Sequence, residues 1–498
     1  MDKCRCVVHW LLLSSLVCAL SAADPVYDRI SAALADHPHR LPGSPHYNAA
    51  VDAVAEVLAT AGVETHRLRY GTLVPTTRTC RLVIDGSEIS GLLAMAPNGP
   101  VPPTTWGREL SGPAVWLGNG TLAEMRGLPV AGAIAFVRLG SSMLPEIFAQ
   151  GALAVIAVGD DATQWQAAQM FTEAPIASPR AWLPLASAEA AGLTTNPSTP
   201  RVAKLNIDVR WKEVEATSLW AFIPAAAGAE HANQTMVLAT ELATSGAVPE
   251  LSPGGRAAAN VAVLAQLAST LGREPLQRNI LVVFLGSHYA AQDGARLLYY
   301  VVNAARRGES SRDLLVDRAA AIDAGIARCA RRLELLDGDA LLSTSGDDPA
   351  WLRNQLRRIL SARINALNYS VRTLNLTGQG TAQLPLLKSR IEVHNHLRRQ
   401  VHERQVTDRE AFADLSAQLK GELAALRASL IKDRSRVASF RELETALKGQ
   451  SVIAHLGIDF ASASAPWIVW RCTPSPWALS TRSWERGAPT RPDREFCW

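Results

Sequence analysis

Apolar and polar positions fall into runs with different periods along this chain. Asn279 to Leu285 (NILVVFL) is nearly continuous in apolar residues, the pattern of a strand buried on both faces of a sheet. SLWAFIPA (Ser218–Ala225) and MVLATEL (Met236–Leu242) read as neighbouring strands, Gly255 to Leu271 as a helix, and Arg296 to Ala305 as the start of another. Strands alternating with helices predict an α/β layer fold with a mainly parallel sheet.

The flanking segments carry other periods. In residues 24–70, Tyr27, Ile30 and Leu34, then Val51, Val54, Val57 and Leu58, recur at helical spacing. The string between them, HPHRLPGSPHYN, is loop chemistry. Residues 77–210 alternate short β-like runs with Gly and Pro. Within them Ala133–Arg138, Leu144–Gln150 and Ala152–Val158 predict a β-α-β unit. Residues 311–450 are mostly helical. Thr407 to Glu410 reads as a capping box with Thr407 as the cap. Phe412, Leu415, Leu419, Leu423, Leu426 and Leu430 then mark one apolar stripe of a long helical hairpin. SVIAHLGIDFASASAPWIV reads as a final strand and turn. Beyond Pro466 the chain is rich in Trp, Arg and Pro without a period, which suits either a disordered or frame-shifted end or a native tail packed on the surface.

Composition narrows the class. The 498 residues are 48% hydrophobic and 19% charged, which suits a globular protein of two or three domains. A net charge of +4, with Arg spread over helices, gives nucleic-acid binding no support. Lys3 and Arg5 precede an apolar core, Trp10 to Leu20, and Ser21-Ala22-Ala23 offers a cleavage site before Asp24. Residues 1–23 are therefore expected to be a signal peptide, and the protein secreted or periplasmic/extracellular. No later stretch reads as a transmembrane helix. Cys80, Cys329, Cys472 and Cys497 lie far apart without CxxC spacing, so they argue neither a disulfide framework nor a zinc cluster. His37, His39 and His46 share the Pro-rich loop, where a metal cluster is weighed against a structural role. His394, His396 and His402 lie on one helix, and the first two point to different faces.

VAGAIAFVRLGSSMLPEIFAQGALAVIAVGDD, with LPLASAEAAGL after it, resembles the protease-associated domain. RLPGSPHYNAAVDAVAEVLATAGVETHRLRY and the strands from Thr217 resemble the secreted zinc-dependent aminopeptidase family, in which that module is commonly inserted. The resemblance covers about half the chain. It implies a three-layer α/β sandwich over 24–76 and 211–345, a protease-associated-like insert over 77–210, and a helical region over 346–450. A return strand over 451–465 and the irregular tail, 466–498, complete the expected order.

Active members end one strand in His-x-Asp, supply a bridging Asp from a loop, and end the next strand in Gly-x-Glu-Glu. Two metal ions need those ligands, and a carboxylate takes the proton of the bound water. Here the corresponding strings are Glu241-Leu242-Ala243, then Arg256 or Ala257, then His288-Tyr289 after Gly286-Ser287. A later Asp is loosely matched by Asp337, and His455 is a distant match for the last His. Glu241, His288 and Asp337 are the remaining candidates for a rearranged zinc site, and Arg256 would oppose a cation there.

The resemblance therefore implies a catalytically degenerate relative, as in nicastrin-like members, with no cofactor and with a peptide or protein ligand in the former cleft. The alternative is an active, zinc-dependent aminopeptidase with rearranged ligands. A third class is a structural protein acting through its helical hairpin. Ser287 follows a buried strand as a nucleophile would, but LGSHY lacks the Gly-x-Ser-x-Gly elbow.

Overall fold

The computed structural model describes residues 25–37, 39–160, 176–244, 246, 248–251, 255–287, 289–307, 309–337, 340–378, 380–457 and 471–473. The expected signal peptide, 1–23, and all of the tail except Arg471–Thr473 lie outside the described residues. The chain forms two compact units. One holds the residues up to Arg307 together with those from Leu443, and the other holds Gly308–Glu442.

In the first unit, α1 (Pro25–Ala35) and α2 (Pro45–Thr60) precede the sheet. Ser44 starts α2: its backbone is extended and its hydroxyl accepts the Tyr47 N–H at 3.1 Å. Pro45 supplies a first-turn residue whose φ is already helical. Tyr47, Val51, Val54 and Leu58 then bury one face.

The strands follow as β1 (His66–Ile84), β2 (Ser87–Ile89), β3 (Leu93–Ala94), β4 (Leu110–Trp116), β5 (Ile134–Arg138), β6 (Ala154–Val158) and β7 (Arg180–Leu183). Next come β8 (Arg201–Ile223), β9 (Gln234–Glu241), β10 (Asn279–Leu285), β11 (Ser451–Gly457) and β12 (Arg471–Thr473). They make one sheet in the order β12-β11-β9-β10-β8-β4-β5-β6-β7-β3, with β1 along β8. The helices of this unit are α3 (Leu144–Ala149), α4 (Leu185–Ala190), α5 (Gly255–Leu271) and α6 (Tyr289–Arg307).

The architecture is α/β, with two parallel stretches, β11-β9-β10 and β4-β5-β6-β7, joined through antiparallel β8. One expectation is corrected. The strands at 218–225 and 236–242 are not neighbours, because β10 lies between them. All seven residues of β10 are buried, so it takes the inner place and leaves β8 antiparallel on its far side. Residues 76 and 210, where the sequence divides domain from insert, face each other in mid-ribbon, so β1 and β8 run unbroken through both parts. Of the tail, Arg471–Thr473 pairs with β11.

Helices cover both faces of the sheet around β10. Ile30, Val54, Leu58 and Ala265 pack with Leu219, Val282 and Phe284 on one side. Side chains alternate along a strand. Ser218 and its partner Tyr70 therefore point to the other side, where Gly294 of α6 sits against the Tyr70 hydroxyl. The predicted β-α-β unit runs as β5-α3-β6. Ala135, Val137, Val155 and Ala157 meet Leu144 and Ile147 on one face, while Ile134, Phe136 and Ile156 meet Leu82, Ile84 and Leu205 on the other.

The second unit holds α7 (Glu309–Asp337), α8 (Asp347–Thr377), α9 (Leu384–Glu403) and most of α10 (Arg409–Ala446). Leu352, Leu356 and Leu360 of α8 pack with Leu397 and Val401 of α9 and Leu415, Leu419 and Leu423 of α10. Phe412 and Leu430 pack against the same core, and Leu426, 48% exposed, is the one member of the predicted stripe that leaves it. The cap is also corrected. Asp408 accepts the Ala411 N–H at 3.0 Å, whereas Thr407 is bonded to the Gln400 side chain at 2.6 Å. Gln400 draws Thr407 away, so the next acceptor in the chain starts the helix. Asp408→Ala is therefore expected to lower the stability of the helical unit by about 1 kcal/mol in urea unfolding followed by circular dichroism.

Candidate functional site

The carboxyl ends of β9 and β10 lie side by side, with Glu241 opposite Leu285. Beyond them the chain runs as Leu242-Ala243-Thr244 and as Gly286-Ser287. The Leu242 N–H donates to Leu285 O at 2.8 Å, which carries the pairing one residue past β9. Glu241 is half-buried, whereas Leu242, Ala243 and Thr244 are buried.

Hydroxyl groups fill the space beside Gly286. Tyr47 of α2 donates its O–H to Thr217 O at 2.7 Å and accepts the Thr217 N–H at 2.8 Å. The Gly286 N–H donates to Ser218 Oγ at 2.9 Å, and that oxygen lies 3.2 Å from the Tyr70 hydroxyl. A Cβ at Gly286 would stand 2.2 Å from Thr217 O and 2.5 Å from the Tyr47 hydroxyl, so only glycine fits. Ser287 is fully buried, with Oγ 3.1 Å from Thr72 Oγ1, and Thr72 also donates to Asp293 Oδ2 at 2.9 Å. A serine in that position is a structural hydroxyl, not an exposed nucleophile.

Burial raises both phenols above their ordinary 10.0, and the Glu241 carboxylate adds to the effect at each. The tyrosines are therefore neutral hydrogen-bonding groups over the physiological range.

On the rim, the loop from α1 to α2 is clamped onto the end of β9. Arg40 donates its backbone N–H to Thr244 Oγ1 at 2.7 Å and Nε to Leu242 O at 2.9 Å, while Thr244 returns its N–H to Arg40 O at 3.0 Å. The guanidinium is buried, which lowers its pKa to about 10 and leaves it cationic at neutral pH. Spacing carries no signal for Arg40. Tyr47 falls in the string read as loop, HPHRLPGSPHYN, whereas the structure starts α2 at Pro45 because Ser44 caps it, and Gly286 is legible as a glycine ending a buried strand.

The sequence-predicted positions scatter. Glu241 and Ala243 stand at the β9 end. Arg256 and Ala257 open α5 and Tyr289 opens α6, with their side chains outside the described residues; His288 lies outside them altogether. Asp337 ends α7 in the other compact unit, its side chain likewise outside the described residues. His455 of β11 is level with Val237 of β9, short of the strand end, and its Nδ1 contacts the Tyr299 hydroxyl. Burial lowers the His455 pKa to about 4, so the ring is neutral. His394 Nδ1 lies 2.6 Å from Arg390 O, and His396 Nε2 lies 2.7 Å from Gln400 Nε2.

Zinc at the strand ends does not fit the described side chains. A catalytic zinc takes three protein ligands and keeps one position open. Residues 241–244 and 285–287 offer one carboxylate, Glu241, with apolar groups and hydroxyls. A buried guanidinium on the same edge further opposes a cation. Among the described residues no three His, Cys, Asp or Glu side chains converge.

No protein-family model and no curated protein match the chain. Among solved structures it is similar to the aminopeptidase from Aneurinibacillus sp. strain AM-1, at 16% identity over 57% of this chain and 66% of that one, with a TM-score of 0.35. It is also similar to BSAP, a zinc aminopeptidase from Bacillus subtilis, at 14% identity over 54% of this chain and 65% of that one, with a TM-score of 0.40. A third is the Peptidase M28 precursor from Shewanella amazonensis SB2B, at 15% identity over 61% of this chain and 72% of that one, also with a TM-score of 0.40. The chain thus spans about two thirds of the length of the first two.

Tyr47→Phe strips the Thr217 N–H and C=O of their buried partner. It is expected to lower stability by about 1–3 kcal/mol in denaturant unfolding, and a loss below about 0.5 kcal/mol would contradict this role. Because the folded phenols titrate above 10.0, the unfolded chain ionises first and stability falls as pH rises beyond that value.

Proposed function

We propose that this protein is an exported, zinc-aminopeptidase-like chain that does not catalyse peptide hydrolysis and binds a peptide or protein at the carboxyl ends of its sheet. The observation that supports this most strongly is the make-up of the β9 end. Ala243 stands buried where active members of the resembled family carry Asp, and Arg40 is anchored on the neighbouring carbonyl. Activating water would need a metal or a positioned base, and the hydroxyls around Gly286 are committed to holding α2, β8 and β10 together. Such a scaffold keeps an edge on which a ligand can rest without the means to cleave it.

The full chain, equilibrated with zinc, is expected to hydrolyse aminoacyl p-nitroanilides no faster than buffer, with or without chelator. Retention on an immobilised random-sequence peptide library is expected to survive chelator and to weaken in Arg256→Glu. Turnover that chelator abolishes, and that is lost in Glu241→Ala or His288→Ala, would instead establish an active aminopeptidase with rearranged ligands.

A further inference from the structure

We propose that His37 and His46 form a two-imidazole site for a borderline divalent cation, zinc or copper, where the loop after α1 meets the first turn of α2. Neither residue belongs to the strand-end site, so the inference stands apart from the function proposed above. The two Nδ1 atoms are 3.4 Å apart, with His37 half-buried and His46 exposed. That is longer than the roughly 2.7–3.2 Å of a well-made N–H hydrogen bond. It matches the separation of about 3.3–3.4 Å between two nitrogens bonded at about 2.0–2.1 Å to one tetrahedral ion. The rings are tilted by 55° with centroids 5.7 Å apart, so stacking does not hold them together. The His ring torsion is broad, and a modest turn of each imidazole brings both lone pairs onto one cation.

The backbone beneath the pair is already fixed. The His37 N–H donates to Leu34 O at 3.1 Å, and His37 O accepts Arg40 Nη1 at 2.9 Å. Arg40 is itself tied to Leu242 and Thr244. On the other side, Ser44 caps α2 and Pro45 sets its first turn, which places His46. Two ligands nine positions apart are thus presented together, with little loop ordering left for binding to supply.

Imidazole suits zinc, copper and nickel, and among these copper binds most strongly at a given site. Coordination through Nδ1 leaves each ring proton on Nε2. Among the described residues no third His, Cys, Asp or Glu side chain joins the pair, so water or a carboxylate from an incoming ligand would complete the shell. The first turn of α2 presents its positive dipole end to His46, which holds the affinity down.

The test is calorimetric titration of the tag-free full chain with zinc chloride and separately with copper chloride. One saturable site per chain is expected. His37→Asn and His46→Asn should each weaken it by at least about tenfold, since losing even a residue that only orients a metal ligand costs about 10–100-fold. His455→Asn should leave it unchanged. The copper-loaded chain should show nitrogen hyperfine coupling in its electron paramagnetic resonance spectrum, and that coupling should disappear in the double variant. Unchanged circular dichroism in the variants separates loss of ligands from loss of fold. Absence of a saturable site, or equal affinity in wild type and both single variants, overturns the proposal.

Discussion

The phenol of Tyr47 is the contact on which the rest of the α/β unit depends. One hydroxyl satisfies both the N–H and the C=O of Thr217. It thereby pins α2 to β8 at the point where β8 stops pairing with β1 alone and meets β10. Buried backbone groups without partners are costly, so this position tolerates little change. The Thr217 carbonyl that it binds, together with the hydroxyl itself, leaves no room for a side chain at the end of β10, which makes Gly286 obligatory. From there Ser218, Tyr70, Thr72, Ser287 and Asp293 carry the network across to α6.

That closure shapes the chemistry available at the sheet edge. Groups that might have faced a ligand are spent on joining secondary structure. Among the described residues of 241–244 and 285–287, what remains is the half-buried Glu241 carboxylate, with the buried Arg40 anchored on the neighbouring Leu242 carbonyl. On the rim, His37 of the α1–α2 loop and His46 of the first turn of α2 approach one another, and Arg40 anchors that loop to the same edge. His288 follows Ser287 at the end of β10 but lies outside the described residues, and the His37–His46 pair is joined to the end of β9 through the Arg40 clamp.

Much of the fold was legible in the sequence because it rests on periodicity. The apolar run of β10, the three- and four-residue spacing of α2 and the β5-α3-β6 unit all survive into the structure. Strand order was not, since the burial pattern of Met236–Leu242 is the same whether β8 or β10 lies beside it. The helix cap shifted to Asp408 because Gln400, seven positions earlier, competes for Thr407. At the site, the replacement of ligand types at Glu241-Leu242-Ala243 could be read directly. Arg40 could not, because its partners, Leu242 and Thr244, lie some two hundred positions away and carry no pattern that names it.

The proposed function requires that the strand ends hold no metal of their own. Its most direct test is the zinc content of the full chain carrying both His37→Asn and His46→Asn, measured by elemental analysis after equilibration with zinc and gel filtration. The account expects zinc no higher than in buffer. One zinc per chain in that variant, lost on further replacing Glu241 by Ala, would place a metal at the end of β9 and contradict it.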